Sequence, residues 1–179
     1  MRYQSIVFSG LPGAGKSTLA KRIGQLYGWP VYSAGGLWRA KWSKIYPNQE
    51  IPFDDYWKTT SAQENLKIDR DFRNIAIRGR VVGDVRYTIN LLNLPVLLVF
   101  LSADIDARVQ RALGTEKYKD MQAAEIRKIL LKREVDEAAT SQRLYDYDYR
   151  DSSYYHLSIN TAMLSRDEGI AIIKTLVSE

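Results

Sequence analysis

Gly10-Leu-Pro-Gly-Ala-Gly-Lys16-Ser17 is the part of this sequence whose residue types and spacing most directly promise chemistry. It matches the phosphate-binding pattern G-x-x-x-x-G-K-[S/T] at every specified position. Glycines at Gly10, Gly13 and Gly15 let consecutive backbone N–H groups turn inward, and Ala14 adds no bulk. A helix beginning at Lys16 would add its partial positive charge to the cradle. Lys16 would then reach the β- and γ-phosphates of a nucleoside triphosphate such as ATP, and the Ser17 hydroxyl would ligate Mg²⁺.

A transferase built on such a loop must bring two polyanions together and keep water out. That calls for arginines at an acceptor lobe, on a mobile lid and at the strand ends between them. Arg39 follows Ser33-Ala-Gly-Gly-Leu-Trp38, and Arg80 closes Arg78-Gly79-Arg80. Arg108 and Arg111 share one helix face at i, i+3. Arg127, Lys128, Lys132 and Arg133 fall on a further helix. Taken singly, surface arginines mostly form solvated pairs of little energetic consequence, so their weight lies in their distribution.

The elements that must position these groups follow from apolar spacing and turn residues. Residues 4–9 read as a short buried strand ending at Gly10, and residues 16–27 as a helix stopped by Gly28. Residues 31–33 are a second strand, 37–44 a short amphipathic helix, and 47–55 a polar loop. Residues 59–72 read as a helix, 74–77 as a third strand broken at Gly79, and 94–101 as a continuously apolar fourth strand. Helices over 104–113 and 123–139, a strand over 157–160 and a closing helix over 166–177 complete the pattern. Alternation of this kind predicts an α/β fold with a parallel sheet.

The chain of 179 residues suits one domain, with hydrophobic residues at 45% and charged residues at 26%. Those values exclude disordered, collagenous and membrane classes. The first ten residues lack the length and cleavage pattern of an export signal, so the expected location is cytoplasmic. Absent cysteine excludes disulfides and thiolate chemistry, and the single histidine, His156, makes a histidine-based zinc site or catalytic triad improbable.

The net charge of +5 is unevenly spread. Residues 1–49 carry seven basic side chains (Arg2, Lys16, Lys21, Arg22, Arg39, Lys41, Lys44) and no acid. The remainder, 26 − 7 = 19 basic against 21 acidic, is net −2. The excess surrounds the place where phosphates are expected. It therefore reads better as local compensation than as a nucleic-acid patch, and no basic run supports the latter.

These residues resemble a cytidylate kinase-like nucleoside monophosphate kinase of the P-loop superfamily, of the short archaeal type. The likeness runs through residues 10–18, 33–39, Gly79-Arg80 with Gly83, Arg108-x-x-Arg111, Arg133-Glu134 and 145–161. It implies a three-layer fold with a five-stranded parallel sheet, a helical substrate insert near 35–70 and a short lid near 114–133, all within one domain over 1–179. It further implies that Gly10, Gly13, Ala14, Gly15, Lys16, Ser17 and Thr18 hold ATP and Mg²⁺. Arg108 would lie by the adenine, Ser33, Arg39 and Arg80 would hold the monophosphate, and Arg133 would close on the transferred phosphoryl group.

The sequence departs from the family pattern at several positions. Arg78 stands where an acid normally precedes the arginine by two residues, and Asp84 is the candidate substitute. Ala138 and Thr140 stand where further lid arginines fall, and Val81 where an acid reads the cytosine amino group in the bacterial branch. Three readings follow: a kinase of CMP-, dCMP- or UMP-like acceptors, a small-metabolite kinase, or a catalytically weakened nucleotide-binding regulatory protein. Trp29, Trp38, Trp42 and Trp57 all fall within residues 29–57, where packing is favoured over stacking on a base. The tyrosines of 145–155 read as a partly exposed surface that could lie between subunits of a weak homodimer, with a monomer as the alternative.

Overall fold

The computed structural model describes residues 3–177, so Arg2 lies outside the described residues. Five strands, β1 (Ser5–Gly10), β2 (Val31–Ser33), β3 (Val82–Asp84), β4 (Val96–Ser102) and β5 (Leu157–Asn160), form one sheet in the order β2-β3-β1-β4-β5. Every pairing is parallel, with Ile6 opposite Val82 on one side of β1 and Leu97 on the other. The helices are α1 (Lys16–Tyr27), α2 (Ala34–Ile45), α3 (Phe53–Thr59), α4 (Ala62–Ile77), α5 (Ile105–Leu113), α6 (Ala123–Tyr145) and α7 (Arg166–Val177).

Alternation along the central strands divides the core into two layers. Ile6 and Phe8 of β1 and Leu97, Val99 and Leu101 of β4 face α1 and α7, meeting Leu19, Ala20, Ile23, Ile173 and Val177. Val7, Val96 and Leu98 face the other way, against Phe72 and Ala76 of α4 and Leu91. Helices on both faces of a parallel sheet make the α/β three-layer architecture expected from the sequence.

Local signals set the helix ends. Gly28 adopts φ 64° and its N–H donates to the Gly24 carbonyl, ending α1 where expected. The Ser33 hydroxyl accepts from the Gly36 N–H at the start of α2. Ser61 and Glu64 form a reciprocal capping box for α4, and the Asp104 carboxylate caps α5.

The third strand is the main correction. Residues 74–77 are the last turn of α4, where Ile75 and Ala76 continue the apolar face that Phe72 begins. The strand lies later, at Val82–Asp84. The end of the supposed polar loop at 47–55 is the first turn of α3.

The tyrosine cluster divides: Tyr145, Tyr154 and Tyr155 are partly exposed as expected, whereas Tyr147 and Tyr149 are buried within the chain, packed with Tyr87, Phe100 and Ala138. Thr88 donates its N–H to the Tyr147 hydroxyl, and the Tyr155 hydroxyl donates to the Tyr149 carbonyl. His156 lies just before β5, where its Nδ1 accepts from the Leu98 N–H at 3.0 Å. Among the described residues, no helix is long and apolar enough to cross a membrane.

Candidate active site

The phosphate loop joins the carboxyl end of β1 to α1. Gly10 has φ 134°, and a Cβ there would stand 2.0 Å from the Leu101 carbonyl oxygen, so only glycine lets β1 turn this close to β4. Gly13 has φ 82°, which keeps the tip of the loop in the left-handed region. The Arg108 guanidinium supports the loop from beneath by donating to the Pro12 carbonyl at 3.3 Å, while the Thr161 hydroxyl donates to the Ala14 carbonyl at 3.0 Å.

Lys16 folds back over the loop, its Nζ donating to the carbonyls of Gly10 at 2.6 Å and Leu11 at 3.0 Å. Burial holds its pKa down to about 8, against the opposing pull of Glu137 and Asp84. The Ser17 hydroxyl donates to Asp84 Oδ2 at 2.5 Å, and the Ser33 hydroxyl lies 3.3 Å from the same oxygen. A hydroxyl and a carboxylate at the mouth of a phosphate loop are hard oxygen donors that suit Mg²⁺, an ion that retains several waters.

A cleft of about 720 Å³ opens over this loop. Its walls include Gly13 through Thr18, Arg39 of α2, Asp84 at the end of β3 and Arg86 just after it, Arg111 of α5 and Arg133 of α6. Glu137 sits among the cations, almost fully buried. It accepts from Arg86 Nε at 2.9 Å and from an Arg133 guanidinium nitrogen at 3.2 Å. Burial alone would raise its pKa, but Arg86, Arg133 and Lys16 more than offset this and hold it below the usual range. Removing one partner of such a buried group typically costs about 3–5 kcal/mol.

Two residues expected at the site lie elsewhere. Arg80 precedes β3, at the amino-terminal edge of the sheet and opposite the phosphate loop. Its side chain is exposed, its N–H donates to the Gln4 carbonyl, and its backbone adopts φ 57°. Arg108 is buried under the loop, 2.9 Å from Glu134, and does not line the cleft. Ser33 stands beside the cleft through Asp84, and Gly10 forms the strand end behind it.

The expected acid-x-Arg pattern at a strand end is met by Asp84-Val85-Arg86. Arg78 is the C-cap of α4 and precedes the strand, so it does not hold the strand-end position of the acid. Val81 is buried at the start of β3, so it occupies a packing position. Ala138 packs among the tyrosines, while the Thr140 hydroxyl donates to the Asp136 carbonyl of its own helix. Asp84-x-Arg86 was the signal for the overlooked Arg86. Glu137 carried none, because only the tertiary fold brings it to Arg86.

The cytidylate kinase-like family model matches residues 5–163. The chain is 30% identical to a cytidylate kinase of Thermoplasma acidophilum, over 97% of this chain and 92% of that protein. It is 28% identical to one from Desulfurococcus amylolyticus, again over 97% and 92%. The structure superposes on a shikimate kinase from Bacteroides thetaiotaomicron with a TM-score of 0.59 at 13% identity, covering 98% of each chain, a likeness of fold alone. With the family model matching most of its length and a kinase fold around its phosphate loop, the chain belongs to the cytidylate kinase-like family and is a nucleoside monophosphate kinase-like phosphotransferase.

Proposed function

We propose that this chain moves the γ-phosphoryl group of ATP, with Mg²⁺, to a nucleoside monophosphate of the pyrimidine class. The observation that carries this reading is the convergence of Lys16, Arg39, Arg86 and Arg133 on one cleft, with Ser17 and Asp84 at its floor. The relatives named cytidylate kinase support the acceptor class.

The loop N–H groups and Lys16 hold the donor phosphates. Ser17 and Asp84 would hold Mg²⁺, which when bound neutralises phosphate charge. Arg39, Arg86 and Arg133 take the acceptor phosphate and orient one of its oxygens toward the γ-phosphorus. That oxygen forms the new P–O bond as the bond to the bridging oxygen breaks, and the electron pair leaves with ADP. The acceptor phosphate is already ionised at neutral pH, so positioned cations supply the main requirement. In this reading α2, α3 and the first part of α4 are the acceptor lobe, and residues 114–133 close over the donor.

The test is ADP release measured over CMP, dCMP, UMP, AMP, shikimate and gluconate. Turnover with pyrimidine monophosphates is expected. Turnover with only the non-nucleotides would make this a metabolite kinase, and acceptor-independent hydrolysis alone would overturn the transferase reading.

A further inference from the structure

Thr161 directly follows β5 and meets three other parts of the molecule. Its N–H donates to the carbonyl of Ser102, the last residue of β4, at 2.8 Å. Its hydroxyl lies 3.0 Å from that carbonyl and 3.0 Å from the Ala14 carbonyl in the phosphate loop. The Arg111 guanidinium of α5 donates from one nitrogen to the Thr161 hydroxyl at 2.8 Å and from another to the Thr161 carbonyl at 2.5 Å. A hydroxyl carries one proton and two lone pairs, so it can accept from Arg111 while donating to a carbonyl. Two-point attachment orients a guanidinium plane that an exposed arginine would otherwise leave mobile. Across the trans peptide that follows Ala14, the Gly15 N–H points opposite to the Ala14 carbonyl, so the same hydroxyl also sets the direction of one loop N–H.

We propose that Thr161 is a positioning residue for the donor nucleotide, its hydroxyl tying the Arg111 guanidinium to the phosphate loop so that both ends of the donor meet groups set at a fixed separation. The inference rests on the reading of the donor as a nucleoside triphosphate held by the loop. Arg111 and Thr161 both line the main cleft. They belong to the β4–β5 side of the sheet, whereas Arg39 and Arg86 follow β2 and β3 on the other side of β1. With the acceptor phosphate on the β2–β3 side, the nucleoside end of the donor takes the β4–β5 side, where Arg111 stands. Thr161 itself is anchored to the end of β4 by its backbone, so the attachment is rigid.

Thr161→Val keeps the shape of the side chain and removes the hydroxyl, whereas Thr161→Ser keeps the hydroxyl and removes the methyl group. Thermal melts establish that both variants are folded. In Thr161→Val, KM for ATP should rise about 10-fold, the usual effect of losing a hydrogen bond to a charged group. In Thr161→Ser it should stay within about 2-fold of the wild type. KM for CMP should be unchanged in both, because the acceptor is held on the other side of β1. In an Arg111→Met background, Thr161→Val should cost less than it does alone, since the two residues act through one bond. Equal rises in KM for ATP and CMP, or a Thr161→Ser variant as impaired as Thr161→Val, would reduce Thr161 to a residue of the fold. Losses that multiply in the double variant would separate Thr161 from Arg111 and overturn the coupling. Calorimetry with ATP alone distinguishes the two levels of the argument. A wild type that binds no ATP would overturn the donor reading and this inference together, and equal Kd for wild type and Thr161→Val would overturn this inference alone.

Discussion

Arg86 donates from its Nε to Glu137 Oε1 at 2.9 Å, joining the loop after β3 to the middle of α6 across the cleft. The bond fixes a guanidinium next to the phosphate loop, whereas Arg80 lies beyond the opposite end of the same strand. Arg86→Ala should therefore lower kcat/KM about 100- to 1,000-fold, the usual cost of losing a preorganised group that stabilises transferring charge. Arg80→Gly should leave kcat/KM within about 2-fold, because no cleft contact is lost and glycine accepts φ 57° readily. Steady-state kinetics of the two variants check the assignment; equal losses would refute it.

Gly83 carries a consequence of close packing beside the site. A Cβ at this position would stand 2.4 Å from Cζ of Phe72. Gly83→Ala should destabilise the protein by about 1–3 kcal/mol through overpacking between β3 and α4. Adding Phe72→Leu should recover part of that loss, a non-additivity measurable by urea unfolding. Independent, additive losses would show that β3 and α4 relax apart without strain.

The phosphate loop and its flanking elements were legible because the information is local. Glycine positions, the lysine and the following helix all fall within residues 5–28. The path of the chain from α4 to β3 was harder to read. Ile75 and Ala76 are as compatible with a strand as with the last turn of a helix, and β3 has only three residues with glycine in the centre. A strand over 74–77 would put Arg80 just past its end, the position that Arg86 holds just past β3. Tyr147 and Tyr149 mislead for another reason: aspartates interleave with them and imitate a wet surface. Their partners Tyr87 and Phe100 lie far away in sequence, so the burial appears only when the sheet is assembled.

Asp69 of α4 accepts a hydrogen bond from the Tyr145 hydroxyl. Burial raises its pKa from 3.8 to about 6, although Tyr145 and the Arg86 charge oppose the rise. Between those values the folded protein holds a proton that the unfolded chain has released. Stability therefore falls as pH rises through this window, by about 3 kcal/mol for this group. Asp69→Asn keeps an acceptor for Tyr145 without the charge. Wild-type Tm should decline relative to Asp69→Asn between pH 4 and 7. A Tm difference constant across that range would show that Asp69 titrates as an ordinary exposed acid.

Lys16 provides a kinetic counterpart. Its ammonium group must be charged to hold donor phosphates, yet burial brings its pKa in the free enzyme to about 8. The pH profile of kcat/KM for ATP reports free-enzyme groups, so it should fall as pH rises through about 8. Bound triphosphate stabilises the charged lysine, and the corresponding fall in kcat should move to higher pH. Lys16→Arg should remove the alkaline fall, since guanidinium stays protonated, while lowering the rate because its planar fork fits the loop poorly. Lys16→Ala should abolish turnover and leave the far-ultraviolet circular dichroism unchanged. An alkaline limb retained in Lys16→Arg would assign the titration to another group, and wild-type turnover by Lys16→Ala would remove the phosphate loop from the reaction altogether.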